Sequence, residues 1–234
     1  MKLGKRIGRI VGFALGAAVL VFVVVQAWFL LHIAYWTQVD PGRTSFMERR
    51  LDEMRARDPK ARLDQRWVEY KRISTHLKRA VIAAEDAKFV DHEGFDWDGI
   101  QRALERNQKR GKVVAGGSTI SQQLAKNLFL SGERSVIRKA QEAIITIMLE
   151  AVMEKRRILE IYLNVAEWGE GIFGAEAAAR HYYGTSAARL SADQAARLAA
   201  MLPRPRYYDH TGSTRYLEQY ADRIQARMPS AQVP

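Results

Sequence analysis

Three stretches of this chain gather side chains whose types and spacing could do chemistry. The first is "AVIAAEDAKFVDHEGFD", where small apolar residues from Ala80 to Ala84 lead into Glu85 and Asp86. A carboxylate there sits at the edge of a core and beside the negative pole of a helix. Both conditions disfavour its ionised form and raise its pKa, which suits general acid or base work. The plain alternative is a solvated acidic pair at a helix end, and local sequence alone favours it. The second stretch is "RKAQE": on a helix, Glu142 lies four residues from Arg138 and three from Lys139, so all three share a face. An ordinary surface ion pair is the plain reading, but the helix runs on as "AIITIMLEAVM", which must be buried, so its charges collect at an exposed mouth. The third is "GGSTISQQLAKN", Gly116 to Asn127. Its glycines let a backbone approach a ligand, and the helix start behind them offers free N–H groups and a positive dipole to an anion. Gln123, Lys126 and Asn127 project on one side of that helix, and amides with an ammonium suit sugar hydroxyls and phosphate. A polar helix face after a loop is the alternative.

Other patterns carry less. "GEGIFG" (Gly169–Gly174) has the G-x-G-x-x-G spacing, but a helix precedes it and no βαβ unit surrounds it, so a turn between packed helices is expected. The five histidines show no metal spacing. No Walker loop and no Ser-x-x-Lys is present.

These stretches need elements to position them. The chain has 234 residues, no cysteine and a net charge of +11. Disulfides, thiol catalysis and cysteine-ligated zinc are excluded, and the basic excess points to an anionic partner. "IVGFALGAAVLVFVVVQAWFLL" (Ile10–Leu31) is apolar except for Gln26 and would span about 33 Å as a helix. Lys2, Lys5, Arg6 and Arg9 precede it, and Trp28, Tyr35 and Trp36 stand at its far end. We expect a cytoplasmic basic segment at 1–9, a retained transmembrane helix at 10–34 and one domain at 43–234 facing outward. A cleaved signal peptide fits less well, because the apolar run is too long and no A-x-A-like site follows it. Nucleic acid is not an expected partner of such a domain.

The body reads as helices. Ser45-x-x-Glu48 and Ser191-x-x-Gln194 have capping-box spacing; Ser74 or Thr75, Asp96, and Ser118 or Thr119 are the other expected caps. "RWVEY" (Arg66–Tyr70) is the one expected short strand. A glycine-rich loop is expected from Gly111 to Gly117. Pro203 and Pro205 should end the helix "QAARLAAML". The fold class is mostly α.

Taken in order, "AEDAKFVDHEGFD", "GGSTISQQLAKNLFL", "RKAQEA", "RRILEIYLNVAEWGEGIFGAEAAARHYYG" and "LSADQAARLAAMLPRPRYYD" resemble the peptidoglycan glycosyltransferases, over roughly Arg66 to Asp209. That family includes the transglycosylase domain of class A penicillin-binding proteins and a monofunctional enzyme. This chain ends too soon for a transpeptidase domain and so resembles the monofunctional form. The resemblance implies a lysozyme-like, α-rich glycosyltransferase domain with a membrane-associated small lobe, behind a single inner-membrane anchor and on the periplasmic side. It implies polymerisation of lipid II into β-1,4-linked glycan with inversion and release of undecaprenyl pyrophosphate. Lipid II and the growing strand would be the partners, with proteins of a cell-wall synthesis or division complex. By motif, Glu85 would be the general base and Glu142 the second catalytic acid residue. Lys126, Arg138, Lys139 and the Ser118–Thr119 helix start would hold the pyrophosphate. Phe89, His92, Gln123 and Asn127 would line the substrate pocket, and Asp86, Lys88 and Arg134 complete the substrate-binding set. Many family members carry arginine where this chain has Lys88, and lysine cannot make the same bidentate phosphate contact. No cofactor and no bound metal are expected, and any stimulation by a divalent cation (magnesium or manganese) should be partial. A lytic enzyme of lysozyme type or a non-catalytic cell-wall scaffold would be the alternatives.

Overall fold

The computed structural model describes residues 2–112, 116–130, 132 and 135–234, the side chains of 2–7 and 9 excepted. The described residues are mostly α, as the sequence implies. In order they form α1 (Lys2–Trp36), α2 (Ser45–Arg55), β1 (Asp64–Gln65), α3 (Thr75–Glu85), α4 (Trp97–Arg110), α5 (Ile120–Phe129), α6 (Val136–Val152) and α7 (Lys155–Val165). There follow β2 (Glu167–Gly169), β3 (Ile172–Phe173), α8 (Ala175–Tyr183), α9 (Ala192–Met201), α10 (Pro205–Thr211) and α11 (Arg215–Arg227).

α1 contains the one span among the described residues long and apolar enough to cross a membrane, Ile10–Trp36, with mean hydropathy 2.5. Its middle leaves Val19, Leu20, Phe22 and Val24 exposed, while Phe29 and Ile33 near its C-terminal end are buried in the body of the protein. There Trp36 stacks on Phe129 of α5 with ring centroids 5.1 Å apart. Gln26 exchanges two side-chain hydrogen bonds with Gln141 of α6, at 3.0 and 2.9 Å. Gln26 is the polar interruption in the apolar run, and a paired amide is how such a group is tolerated there.

α3, α9 and α11 pack together through small residues. Ala80 and Ala83 of α3 and Ala195, Ala196 and Ala199 of α9 are all buried, and short side chains let the helix axes come close. Asp96, Thr119 and Ser191 cap their helices as expected, Thr119 and Ser191 each within a full capping box. Ser74 rather than Thr75 caps α3. At α2 the expected Ser45 box does not form: Thr44 is the cap, its hydroxyl accepting from the Met47 amide. Pro205 starts a helix rather than ending one, standing at the first position of α10, where a missing N–H costs nothing. The Gly111–Gly117 loop lies partly outside the described residues.

The strand expected at "RWVEY" does not form; the strand is Asp64–Gln65, which pairs in parallel with β3. The reason is Asn164, fully buried on α7. Its Oδ1 accepts from the Val68 amide at 2.8 Å, and its Nδ2 donates to the Val68 carbonyl at 3.0 Å. One side chain thus satisfies both backbone groups that a partner strand would have taken. "GEGIFG" is the turn of the β2–β3 hairpin rather than a link between helices. Gly174, at φ +84°, closes it against α7, and a Cβ there would stand 2.7 Å from the Asn164 carbonyl oxygen. Asn164→Ala should destabilise the protein by about 3 kcal/mol or more, because it strands two buried backbone groups at about 1–3 kcal/mol each. Chemical denaturation in detergent will read this, and a loss under about 1 kcal/mol would mean that water replaces the amide.

Candidate active site

Glu85 is the last residue of α3. The helix stops there because Asp86 leaves helical geometry, with φ −161° and ψ 74°. The half-buried Glu85 carboxylate accepts a hydrogen bond from Gln123 Nε2 of α5 at 2.7 Å. Gln123 Oε1 in turn accepts from the Tyr162 hydroxyl of α7 at 3.0 Å. The hydroxyl donates here, so it fixes the amide with its NH2 towards Glu85. Burial pushes the Glu85 carboxyl above its ordinary value; the Gln123 hydrogen bond and the Lys126 charge pull it back down, and Asp86 adds to the rise.

Asp86 does a different job. Its Oδ2 accepts from the Ile120 amide in the first turn of α5 at 3.0 Å, and its Oδ1 lies 2.9 Å from His92 Nε2. His92 Nδ1 accepts from the Gly94 amide at 3.1 Å, so the ring proton sits on Nε2 and points at Asp86. The Thr119 hydroxyl donates to the Gly94 carbonyl at 2.7 Å. The loop after α3 is thus stitched to the start of α5.

The cations gather on α5 and α6. Glu142 is buried and takes Arg138 Nη1 at 2.7 Å and the Lys139 ammonium on its two oxygens. Lys126, one turn from Gln123, has no carboxylate within 4.0 Å among the described residues. Burial lowers its pKa, with Arg138 and Lys139 adding to that and Glu142 and Glu85 opposing it. Arg138 Nε is buried without a partner among the described residues. Lys126 and the Glu142-held Arg138 stand in the wall of a cleft of about 1060 Å³, which Gln123, Asn127 and Tyr162 also line. Glu85 lines a smaller neighbouring pocket of about 150 Å³ with Gly116, Gly117, Ser118, Thr119 and Arg227. The Glu85–Gln123 hydrogen bond joins the two. Among the described residues no three acidic or histidine side chains gather as a metal cage.

A family profile described as Transglycosylase matches residues 51–229. The chain belongs to the transglycosylase family. Proteins named biosynthetic peptidoglycan transglycosylase are similar over nearly the whole chain. That of Dechloromonas aromatica is 60% identical over 230 residues, covering 98% of this chain and 100% of its own. That of Azoarcus sp. is also 60% identical over 230 residues, covering 98% and 99%. That of Methylobacillus flagellatus is 62% identical over 217 residues, covering 93% and 95%.

Within this transglycosylase the residues expected at the substrate divide. Gln123, Lys126, Asn127 and Arg138 face the large cleft; Glu85, Ser118 and Thr119 line the small pocket. Asp86 lines the small pocket too, but both its oxygens are held by scaffold groups. Phe89 is not a pocket residue: it is fully buried in the core beneath the Lys155 ammonium, 4.7 Å from its ring centroid. His92 is bonded to Asp86 and Gly94 and lines neither cavity. Lys88 is exposed and tied to Asp98 of α4 at 2.7 Å, and Lys139 is tied to Glu142. Arg134 lies outside the described residues. Tyr162 and Arg227 were not expected; "EIYLN" offered no sign that its tyrosine, 39 residues beyond Gln123, orients that amide. Asp86→Asn leaves one acceptor for two donors, so it should cost about 1–3 kcal/mol of stability in a denaturant titration. An unchanged midpoint would mean that the α3–α5 join does not rest on this carboxylate.

Proposed function

We propose that this protein is a membrane-anchored peptidoglycan glycosyltransferase that polymerises lipid II into β-1,4-linked glycan and releases undecaprenyl pyrophosphate. The observation that carries this reading is a carboxyl with a raised pKa one hydrogen bond away from a cleft in whose wall Lys126, with no ion-pair partner among the described residues, stands beside Arg138. A hydrolase of finished glycan has no pyrophosphate to hold, and a scaffold needs neither feature.

The growing strand is the donor and lipid II the acceptor. Glu85 takes the proton from the acceptor 4-hydroxyl as its oxygen attacks C1 of the α-linked donor sugar. The C1–O bond to pyrophosphate breaks as the new β bond forms, inverting the anomeric centre. The negative charge developing on the pyrophosphate falls to Lys126 and Arg138, with Lys139 and the start of α5 behind them. Glu142 anchors both Arg138 and Lys139 and so sets where those cations stand. Residues 1–9 lie in the cytoplasm, 10–34 cross the inner membrane, and 43–234 work on the periplasmic side, within reach of other cell-wall synthesis proteins. No cofactor is required, and any stimulation by magnesium or manganese is partial.

The test is polymerisation of lipid II by the purified full chain, reading both glycan and released lipid pyrophosphate. Glu85→Gln is close in shape but cannot take a proton, so its rate should fall about 10²–10⁴-fold with folding intact. Near-normal turnover would remove Glu85 as the base, and cleavage of finished glycan without lipid pyrophosphate release would make the protein a lytic enzyme. In wild type, activity should rise with pH as the raised Glu85 carboxyl loses its proton. Gln123→Leu removes a donor that favours the anion, so this acid limb should move to higher pH. A limb that stayed in place, or moved to lower pH, would show that another group controls it.

A further inference from the structure

The large cleft does not end at the pyrophosphate cations. It runs past Tyr162 to a second basic wall built by α2, the β2–β3 turn and the residues around α10. Most cations of that wall are already used. Arg50 is buried between Glu167 and Glu53, with Nε 2.6 Å from Glu167 Oε1. Arg57 and His210 share Glu170. Arg204 and Arg206 are different. Both are exposed, and neither has a carboxylate within 4.0 Å among the described residues. Arg204 lies over the ring of the exposed Tyr207, 4.7 Å from its centroid.

Two guanidiniums without a direct ion pair among the described residues, one of them laid on an aromatic ring, therefore stand in the wall of a cleft that extends well beyond Lys126 and Arg138. The cations of this wall, His210 aside, are arginines, whereas the pyrophosphate end depends on a lysine. A guanidinium presents a planar fork that matches a carboxylate, while an ammonium acts as a compact point charge. The Tyr207 ring carries the Arg204 guanidinium and so helps fix where it stands in the cleft wall. Lipid II carries, on one sugar of each disaccharide, a short peptide with free carboxylates. A saccharide held at its pyrophosphate by Lys126 and Arg138 extends along the cleft and takes that peptide with it.

We propose that Arg204 and Arg206 form a subsite for the peptide carboxylates of the saccharide substrate and favour carboxylate-bearing over amidated peptides. This rests on the glycosyltransferase reading above. A lipid phosphate would satisfy the same cations, so the test separates the two sources.

The experiment compares kcat/KM of the full chain on two substrates, lipid II with free peptide carboxylates and lipid II with those carboxylates converted to amides. Wild type should prefer the free acid. In the Arg204→Gln/Arg206→Gln double variant that preference should shrink by about three- to tenfold, the range for exposed charge-assisted contacts. Arg204→Lys/Arg206→Lys keeps the charges and should recover part of it. An equal loss on both substrates would overturn the subsite and leave the arginines holding sugar or the fold, and so would an unchanged preference. A short polyprenyl pyrophosphate without sugar supplies the other arm. Its inhibition constant should be the same for wild type and the double variant, and weaker inhibition of the variant would assign the arginines to phosphate instead. Failure of wild type to release lipid pyrophosphate from either substrate would instead remove the glycosyltransferase reading, and the subsite with it.

Discussion

The site depends on one buried carboxylate. Asp86 closes α3, accepts the Ile120 amide at the start of α5 and holds His92, whose other nitrogen takes the Gly94 amide. That join sets the end of α3 against the first turn of α5, with the Thr119 hydroxyl on the Gly94 carbonyl beside it. Glu85 and Gln123 sit on either side of the join, so their 2.7 Å hydrogen bond is a consequence of it. Gly94 serves the same join: its φ is +91°, and a Cβ there would stand 2.8 Å from the Thr146 side chain of α6. A loop that must turn left-handed against a packed helix needs glycine.

The chain carries a large positive excess, and the fold sorts its cations. Arg50, Arg57, Lys88, Lys139 and Arg157 are each tied to a carboxylate. Such pairs contribute little at the surface and hold geometry where buried. Among the described residues Lys126, Arg204 and Arg206 are left without such partners, and all three line the same cleft. A cation in a cleft wall without a direct ion pair is held ready for an anion from outside. Glu142 takes part by being spent: each of its oxygens holds one cation in place, and it lines neither cavity.

The long N-terminal helix is more than a tether. Its last turns enter the core through Phe29 and Ile33, and its rings meet Phe129 of α5 with centroids 5.0 to 6.0 Å apart. Gln26 bonds the residue next to Glu142 on α6. The helix is thus packed against both α5 and α6, which carry Lys126 and Arg138.

Much of this was legible in the sequence because it is local. The apolar span, the helices and most of their caps follow from spacing within a few residues. So does the shared face of Arg138, Lys139 and Glu142. What the sequence could not show was which polar groups had already been used. Phe89, His92 and Lys88 sit in a motif that looks like a binding site, yet one is core, one is a clamp and one is tied to α4. "RWVEY" has strand-forming residues, yet Asn164, 96 residues beyond Val68, takes the place of a partner strand. The short helix α10 was not anticipated, nor was its placement of Arg206 in the cleft. For "RWVEY" the deciding partner lies on a distant segment; for His92 and Lys88 it is near in sequence but reached only through the fold of the loop. Periodicity and capping are set by neighbours along the chain, but whether a charge or an amide remains free is set by neighbours in space, and only the folded protein brings those together.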